Sequence, residues 1–192
     1  MAHLGGGISV TAVDGGLITD STYDVMTPER MGDMLAGDMT DLCFGGKYTE
    51  KELRKLSLGS GGFVSHLGTS DALEVEKRAV NGDKKAVLMY DVVAYQLAKA
   101  VGGMVTVVES EPDAVIFTGA LSRSDYLMEK VLKRIGKLGL NIVRIPGEME
   151  MEALAGGALR VLRGEEKAHE YDILPEAYEN KEAFYAAIPG VK

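Results

Sequence analysis

Four groups of residues could do chemistry here. His3-Leu4 leads into Gly5-Gly6-Gly7 and then Ile8-Ser9. Consecutive glycines let backbone N–H groups approach an anion with no Cβ in the way. A flanking imidazole and hydroxyl can donate to phosphate oxygens. The same triplet also reads as a loose hairpin tip. Thr118-Gly119-Ala120 follows an apolar run and precedes a helical one, the place where an open α/β sheet meets nucleotide; many strands end in glycine without that role. Arg30 lies in a loop flanked by Pro28 and Gly32, where a guanidinium either clamps a transferring phosphoryl group or is simply solvated. Glu148, Glu150 and Glu152 follow another strand end. They can hold Mg²⁺ directly or through water, or they are the usual acids of a first helical turn. His66 and His169 have no partners at metal-ligand spacing and read as structural or surface residues.

The elements that must position these residues follow from the hydrophobic pattern. Met1-Ala2-His3-Leu4 runs straight into the glycines, with no strand read before them. Ile8 to Val13 alternates and is β-rich, Asp14-Gly15-Gly16 is a hairpin turn, and Leu17 to Asp20 is the return strand. Residues 21–34 read as a loop with a short helical turn around Pro28-Glu29-Arg30. A helical region then runs to about residue 108. In it Thr49 and Glu52 form a capping box, Ser70 is a candidate N-cap for a helix to Val80, and Asp83 caps a long helix. The apolar stripe Val87, Tyr90, Ala94, Leu97, Val101, Val105, Val108 is a core face. Beyond Pro112 come a strand at Ala114 to Phe117, a helix from Asp125 to Lys137, a strand at Ile142 to Ile145, and a helix from Glu150 to Leu162 stopped by Gly164. Strand–helix–strand–helix at this spacing implies a parallel βαβα unit with ligands at the strand C-termini.

Composition narrows the function. The chain has 192 residues, 46% hydrophobic and 26% charged, enough to bury a core. Lys+Arg is 21 against Asp+Glu 29, a net charge of −8, which argues against nucleic-acid binding through a basic face. Cys43 is the only cysteine, so a reducing, cytoplasmic compartment is expected. No apolar run reaches membrane-spanning length and no secretory signal is read.

Taken together, these stretches resemble butyrate kinase, of the acetate kinase branch of the sugar kinase, Hsp70 and actin superfamily. The matching phrases are Ala2-His3-Leu4-Gly5-Gly6-Gly7-Ile8-Ser9-Val10, Thr27-Pro28-Glu29-Arg30, Asp41-Leu42-Cys43-Phe44 with Gly46-Lys47-Tyr48-Thr49, Leu67-Gly68-Thr69-Ser70-Asp71, Tyr95-Gln96-Leu97-Ala98-Lys99, Pro146-Gly147-Glu148, and Gly157-Ala158-Leu159-Arg160. They occur in the family's order over about residues 2–170. The resemblance implies an α/β chain: the C-terminal half of a ribonuclease H-like actin/Hsp70/sugar-kinase ATPase fold, with an N-terminal β-hairpin, a helical insertion and a parallel βαβα unit. The nucleotide-binding lobe is expected over residues 1–166, with a tail over 167–192.

The resemblance further implies phosphate transfer between ATP and a short-chain carboxylate, giving an acyl phosphate, with Mg²⁺ as the metal. Carried over by motif, His3 would hydrogen-bond the transferring group and Arg30 would neutralise its oxygens. Gly5, Gly6, Gly7 and Ser9 would cradle the phosphates. Asp71, Gly119 and Ala120 would flank the adenosine, and Glu148 or Glu150 would help hold Mg²⁺. An N-terminal lobe bearing a Gly/Ser phosphate loop is expected on a separate chain, and a homodimer is expected through the present lobe. The alternative is a non-catalytic fragment that binds nucleotide weakly or only dimerises. Three positions depart from the family pattern: Ala120 where a second glycine is usual, Met31 where serine is usual, and Met149 where aspartate is usual.

Overall fold

The computed structural model describes residues 1–108, 111–147 and 149–168. The chain divides into two compact units, Met1–Glu148 and Met149–Lys192.

In the first unit, β1 (Ala2–Leu4), β2 (Ile8–Asp14) and β3 (Leu17–Thr22) come first. They are followed by α1 (Ala36–Phe44), α2 (Glu50–Leu58), α3 (Gly62–Leu67), α4 (Ala72–Val80) and α5 (Lys84–Val105). Then come β4 (Val115–Gly119), α6 (Asp125–Ile135) and β5 (Ile142–Pro146). The strands make one sheet in the order β3-β2-β1-β4-β5. The first three are antiparallel, and β1, β4 and β5 are parallel. The β2–β3 hairpin closes through Gly15 and Gly16, whose φ angles of +56° and +82° are those a two-residue turn needs to match strand twist.

Strand alternation separates the two faces of this sheet. Ala2, Leu4, Ile8, Val10, Val115 and Phe117 are buried on one face. They join α5 and α6 in a single core that includes Tyr90, Leu97, Leu127 and Val131. The buried stripe of α5 is Ala86, Met89, Tyr90, Val93, Ala94, Leu97 and Val101. It overlaps the expected stripe at four positions; Val87 lies at the margin of the core and Val108 beyond the helix end. The alternate residues, His3 among them, face the other side.

Local differences from the sequence reading have physical causes. The residues before the glycines do form a strand, β1, because it is paired on both sides: His3 opposes Ser9 in β2 and Thr118 in β4. No helical turn forms at Pro28-Glu29-Arg30. Thr27 is fully buried, and its hydroxyl accepts from the Glu29 and Arg30 N–H groups at 3.2 and 3.0 Å, fixing a turn instead. Asp71 rather than Ser70 caps α4, its carboxylate accepting from Leu73 and Glu74 N–H. The capping box at Thr49 and the Asp83 cap form as expected. The α6 helix ends at Ile135 and gives way to a 3-10 turn over Gly136–Leu138.

In the second unit, α7 (Glu150–Leu162) forms over the expected range. Gly164 follows at φ +73°, and Arg160 pairs with Glu166 at 2.8 Å.

Candidate phosphate-binding site

The site is built outward from β1. Ala2 and Leu4 are fully buried, so the strand cannot rotate, and His3 between them is held on the opposite face. The His3 Nδ1 atom lies 3.0 Å from the Thr118 hydroxyl across the parallel pair. That contact leaves Nε2 as the outward-facing nitrogen.

The glycine turn follows at once. Gly5 N–H donates to the Gly7 carbonyl at 2.9 Å, which folds three residues into a tight corner. Neither Gly5 nor Gly7 has a positive φ, so backbone conformation does not demand glycine at either position. Close approach does. A Cβ on Gly5 would stand 3.1 Å from His3 Nε2, and one on Gly7 would stand 3.1 Å from both Cζ and Nη1 of Arg30. The turn therefore sits between an imidazole and a guanidinium. At Gly6 nothing lies within 4 Å, so a ligand can reach the backbone there.

Arg30 comes from the loop between β3 and α1, and that loop is held at three points. Thr27 ties it internally, as described, and Thr27 N–H donates back to the Arg30 carbonyl at 3.1 Å. Met26 N–H donates to Oε1 of Gln96 on α5 at 2.7 Å. At Gly62, with φ +49°, a Cβ would fall 1.8 Å from the Thr27 carbonyl oxygen, so only glycine lets α3 approach. Among the described residues the Arg30 guanidinium has no hydrogen bond or ion pair. A rigid loop thus presents an uncompensated cation beside a glycine corner, an arrangement suited to an anion with several oxygens.

Thr27, Gln96 and Gly62 were not singled out as site residues from the sequence. A hydroxyl two and three residues before the N–H groups it caps is a readable signal; the reach from Gln96 and Gly62 across the fold is not.

The remaining expected site residues stand as follows. Ser9 is the cross-strand partner of His3, half-buried on the same face. Gly119 has φ +85°, and a Cβ there would lie 2.5 Å from the Leu4 carbonyl oxygen. Its N–H and C=O are exchanged with Gly147 at 3.0 and 3.2 Å, so its glycine identity answers to strand packing, and its N–H is already used. Ala120 is exposed and opens the 3-10 turn Ala120–Arg123. Asp71 is engaged as a helix cap, and among the described residues no hydrogen bond or ion pair joins it to His3, Arg30 or the glycine corner. Glu148 lies outside the described residues. Glu150 is in the first turn of α7, in the second unit. Among the described residues no group of three His, Cys, Asp or Glu side chains could hold a metal. None of the described helices is long and apolar enough to cross a membrane.

With this geometry in hand, likeness to known proteins is specific. The sequence model of the Acetokinase family matches residues 1–155. "Probable butyrate kinase 2" of Caldanaerobacter subterraneus subsp. tengcongensis is 45% identical over 170 residues, covering 86% of this chain and 48% of that protein. "Butyrate kinase 2" of Clostridium acetobutylicum is 40% identical over 176 residues, covering 89% and 49%. The crystal structure of Porphyromonas gingivalis acetate kinase superposes with a TM-score of 0.72 at 22% identity, covering 84% of this chain and 48% of that one. The fold is shared with acetate and propionate kinases of solved structure, and the chain belongs to the acetokinase family. It spans about half the length of the curated relatives it matches.

Proposed function

We propose that this chain is the nucleotide-binding lobe of a butyrate kinase. It serves transfer of phosphate between ATP and butyrate, or another short-chain carboxylate, giving an acyl phosphate and ADP, and it acts together with an N-terminal lobe. The observation that carries this reading is the free Arg30 guanidinium set against Gly7, with His3 against Gly5 on the other side of the same corner.

Phosphoryl transfer passes through a transition state with charge spread over three equatorial oxygens, so catalysis is positioning plus charge neutralisation. Arg30 neutralises those oxygens with a planar two-pronged donor. His3 Nε2 gives one further hydrogen bond, and the Thr118 contact at Nδ1 holds the ring in place. Gly5, Gly6, Gly7 and Ser9 line the approach of the phosphates. Asp71 and the segment from Gly119 and Ala120 at the end of β4 flank the adenosine. ATP supplies the phosphoryl group when bound. Mg²⁺ in such sites takes one or two carboxylates plus substrate phosphates. Glu148 or Glu150 would help hold it there alongside the phosphates of the nucleotide.

Exposed Leu35, Phe44 and Leu58 on the helical insertion support a homodimer formed through this lobe. An ATP-dependent chain with a single cysteine fits the cytoplasm. Because the chain covers about half of its relatives, the lobe by itself is expected to bind nucleotide weakly and to turn over no substrate. Calorimetric titration with MgADP tests the reading. Binding should be measurable and should tighten on Ala120→Gly, which removes a methyl from the expected nucleotide path. No heat from either protein at millimolar nucleotide counts against it.

A further inference from the structure

Most arginines of the first unit have partners. Arg54, Arg78 and Arg144 form ion pairs, and the Arg134 guanidinium lies 5.5 Å from the centre of the Tyr95 ring. That leaves Arg30 and Arg123, whose guanidinium groups have no hydrogen bond, ion pair or ring contact among the described residues. The chain carries 29 acidic side chains against 21 basic ones, so an unanswered cation is the exception here. Both of these cations stand against a glycine. Arg30 lies beside Gly7 in the turn that leaves β1, and Arg123 lies beside Gly147 just past β5. A Cβ on Gly147 would fall 2.6 Å from Nη2 of Arg123, so a side chain at 147 would displace the guanidinium.

We propose that Arg123 binds the phosphate nearest the ribose, at the end of the nucleotide's phosphate chain opposite to the one Arg30 neutralises. The assignment rests on the nucleotide-binding reading above and adds to it a residue that the sequence motifs did not mark.

Three features support this. The first is spacing. β1, β4 and β5 are parallel neighbours, so the two glycines lie past strand ends two steps apart, about 10 Å across the sheet. Cations so spaced suit a ligand whose charge runs along a chain, and Arg123 closes the turn that Ala120 opens beside Gly119. The second is rigidity. Ser122 is fully buried and its hydroxyl donates to the Gly119 carbonyl at 2.7 Å. Arg144 Nε donates to the Ser122 carbonyl, and Nη1 pairs with Asp125 at 2.7 Å. The Ser124 hydroxyl accepts Leu127 N–H at 3.0 Å. The backbone is therefore fixed on both sides of Arg123, and the acid two residues on is already taken. The third is chemistry. A guanidinium only donates, and phosphate oxygens only accept. Adenine sets an N–H₂ donor beside its N7 acceptor, a poorer match. Because this phosphate is present before and after transfer, Arg123 holds both nucleotide states alike. Its loss should raise the nucleotide KM and spare kcat, the reverse of the Arg30 pattern.

The probes are AMP, which carries that phosphate alone, and adenosine, which carries none. Each is titrated into the full 192-residue chain by ligand-observed NMR, with MgADP followed by calorimetry, at about 0.15 M salt to screen long-range charge. Arg123→Ala should weaken AMP and MgADP by about tenfold or more and leave adenosine unchanged. Arg123→Lys should recover part of the loss. The side chain is exposed and makes no described bond, so these variants should melt close to the parent. Arg134→Ala removes the same charge elsewhere and should change none of the three affinities. An equal loss for AMP and adenosine would make Arg123 a base-contacting residue and overturn the proposal. Unchanged AMP and MgADP affinities in Arg123→Ala would overturn it as well, while leaving the kinase reading in place. Absence of MgADP binding in the parent would overturn the nucleotide reading beneath it and this assignment with it.

Discussion

Replacing the three consecutive glycines one at a time with alanine separates packing from function at the corner. At Gly7 the added Cβ meets the Arg30 guanidinium at 3.1 Å. Comfortable carbon contacts lie at about 3.5–4.0 Å, so the guanidinium must retreat by about 0.5–1 Å. Its tip is flexible and the Gly7 backbone is not left-handed, so the stability change should stay within about 0.5 kcal/mol. The anion should feel the shift far more, because a displaced charge-assisted donor forfeits about 1.5–3 kcal/mol. Affinity for inorganic tripolyphosphate should then fall by about tenfold or more. At Gly6 the Cβ meets nothing, so both stability and affinity should be close to those of the parent. At Gly5 the neighbour is His3 Nε2 at 3.1 Å, on a ring already fixed to Thr118. It can yield less, so Gly5→Ala should lower the melting temperature more than Gly7→Ala does. Thermal denaturation and calorimetric titration measure both quantities on the same samples. Equal tripolyphosphate affinity in Gly6→Ala and Gly7→Ala would refute the argument that Arg30 and the corner act as one anion site.

Two further outcomes follow from the supports. Thr27→Val should cost about 1–3 kcal/mol in chemical denaturation, because two N–H groups lose their acceptor in a buried turn, and Thr27→Ser should recover most of it. Burial holds the Met1 amino group below its ordinary value of 8.0. The unfolded chain therefore keeps that proton more tightly than the folded one, and stability should rise with pH between the lowered value and about 8. Acetylation of the amino group should flatten that slope in urea midpoints measured from about pH 6 to about pH 9.

How much of this was legible in the sequence depends on whether the cause was local. The β2–β3 hairpin was, because Asp14-Gly15-Gly16 joins two β-rich runs and both glycines take positive φ. The long α5 was, because Asp83 caps it and its buried face keeps helical spacing. The strand β1 was not: three residues carry no pattern, and its extension comes from partners more than a hundred positions away as well as from its neighbour. The α1 helix was not resolved from its surroundings because none of its residues is buried, so it has no apolar stripe to read. The cap at residues 70–71 was displaced by one because both side chains can cap; the Thr69 hydroxyl accepts Asp71 N–H and sets the turn that favours the aspartate. For the site, His3 and the glycines are adjacent in the chain, and their chemistry could be read directly. That Arg30 closes the same corner was implied only by resemblance, since the loop is placed by Thr27, Gln96 and Gly62 through tertiary contacts.

The central claim is that Arg30 acts on the phosphoryl group in transit. The most direct measurement combines this chain with the N-terminal half of a related butyrate kinase. Acyl hydroxamate formation from butyrate and MgATP is then compared between the parent and Arg30→Ala. Turnover should fall by about 10³-fold or more, the range for arginines that stabilise transferring phosphate. MgADP affinity should change little, because ADP lacks the phosphoryl group on which Arg30 acts. Arg30→Lys should recover only part of the turnover, because a point charge lacks the planar fork. An Arg30→Ala protein that keeps turnover and loses nucleotide affinity would contradict the account and make Arg30 a ground-state binding residue.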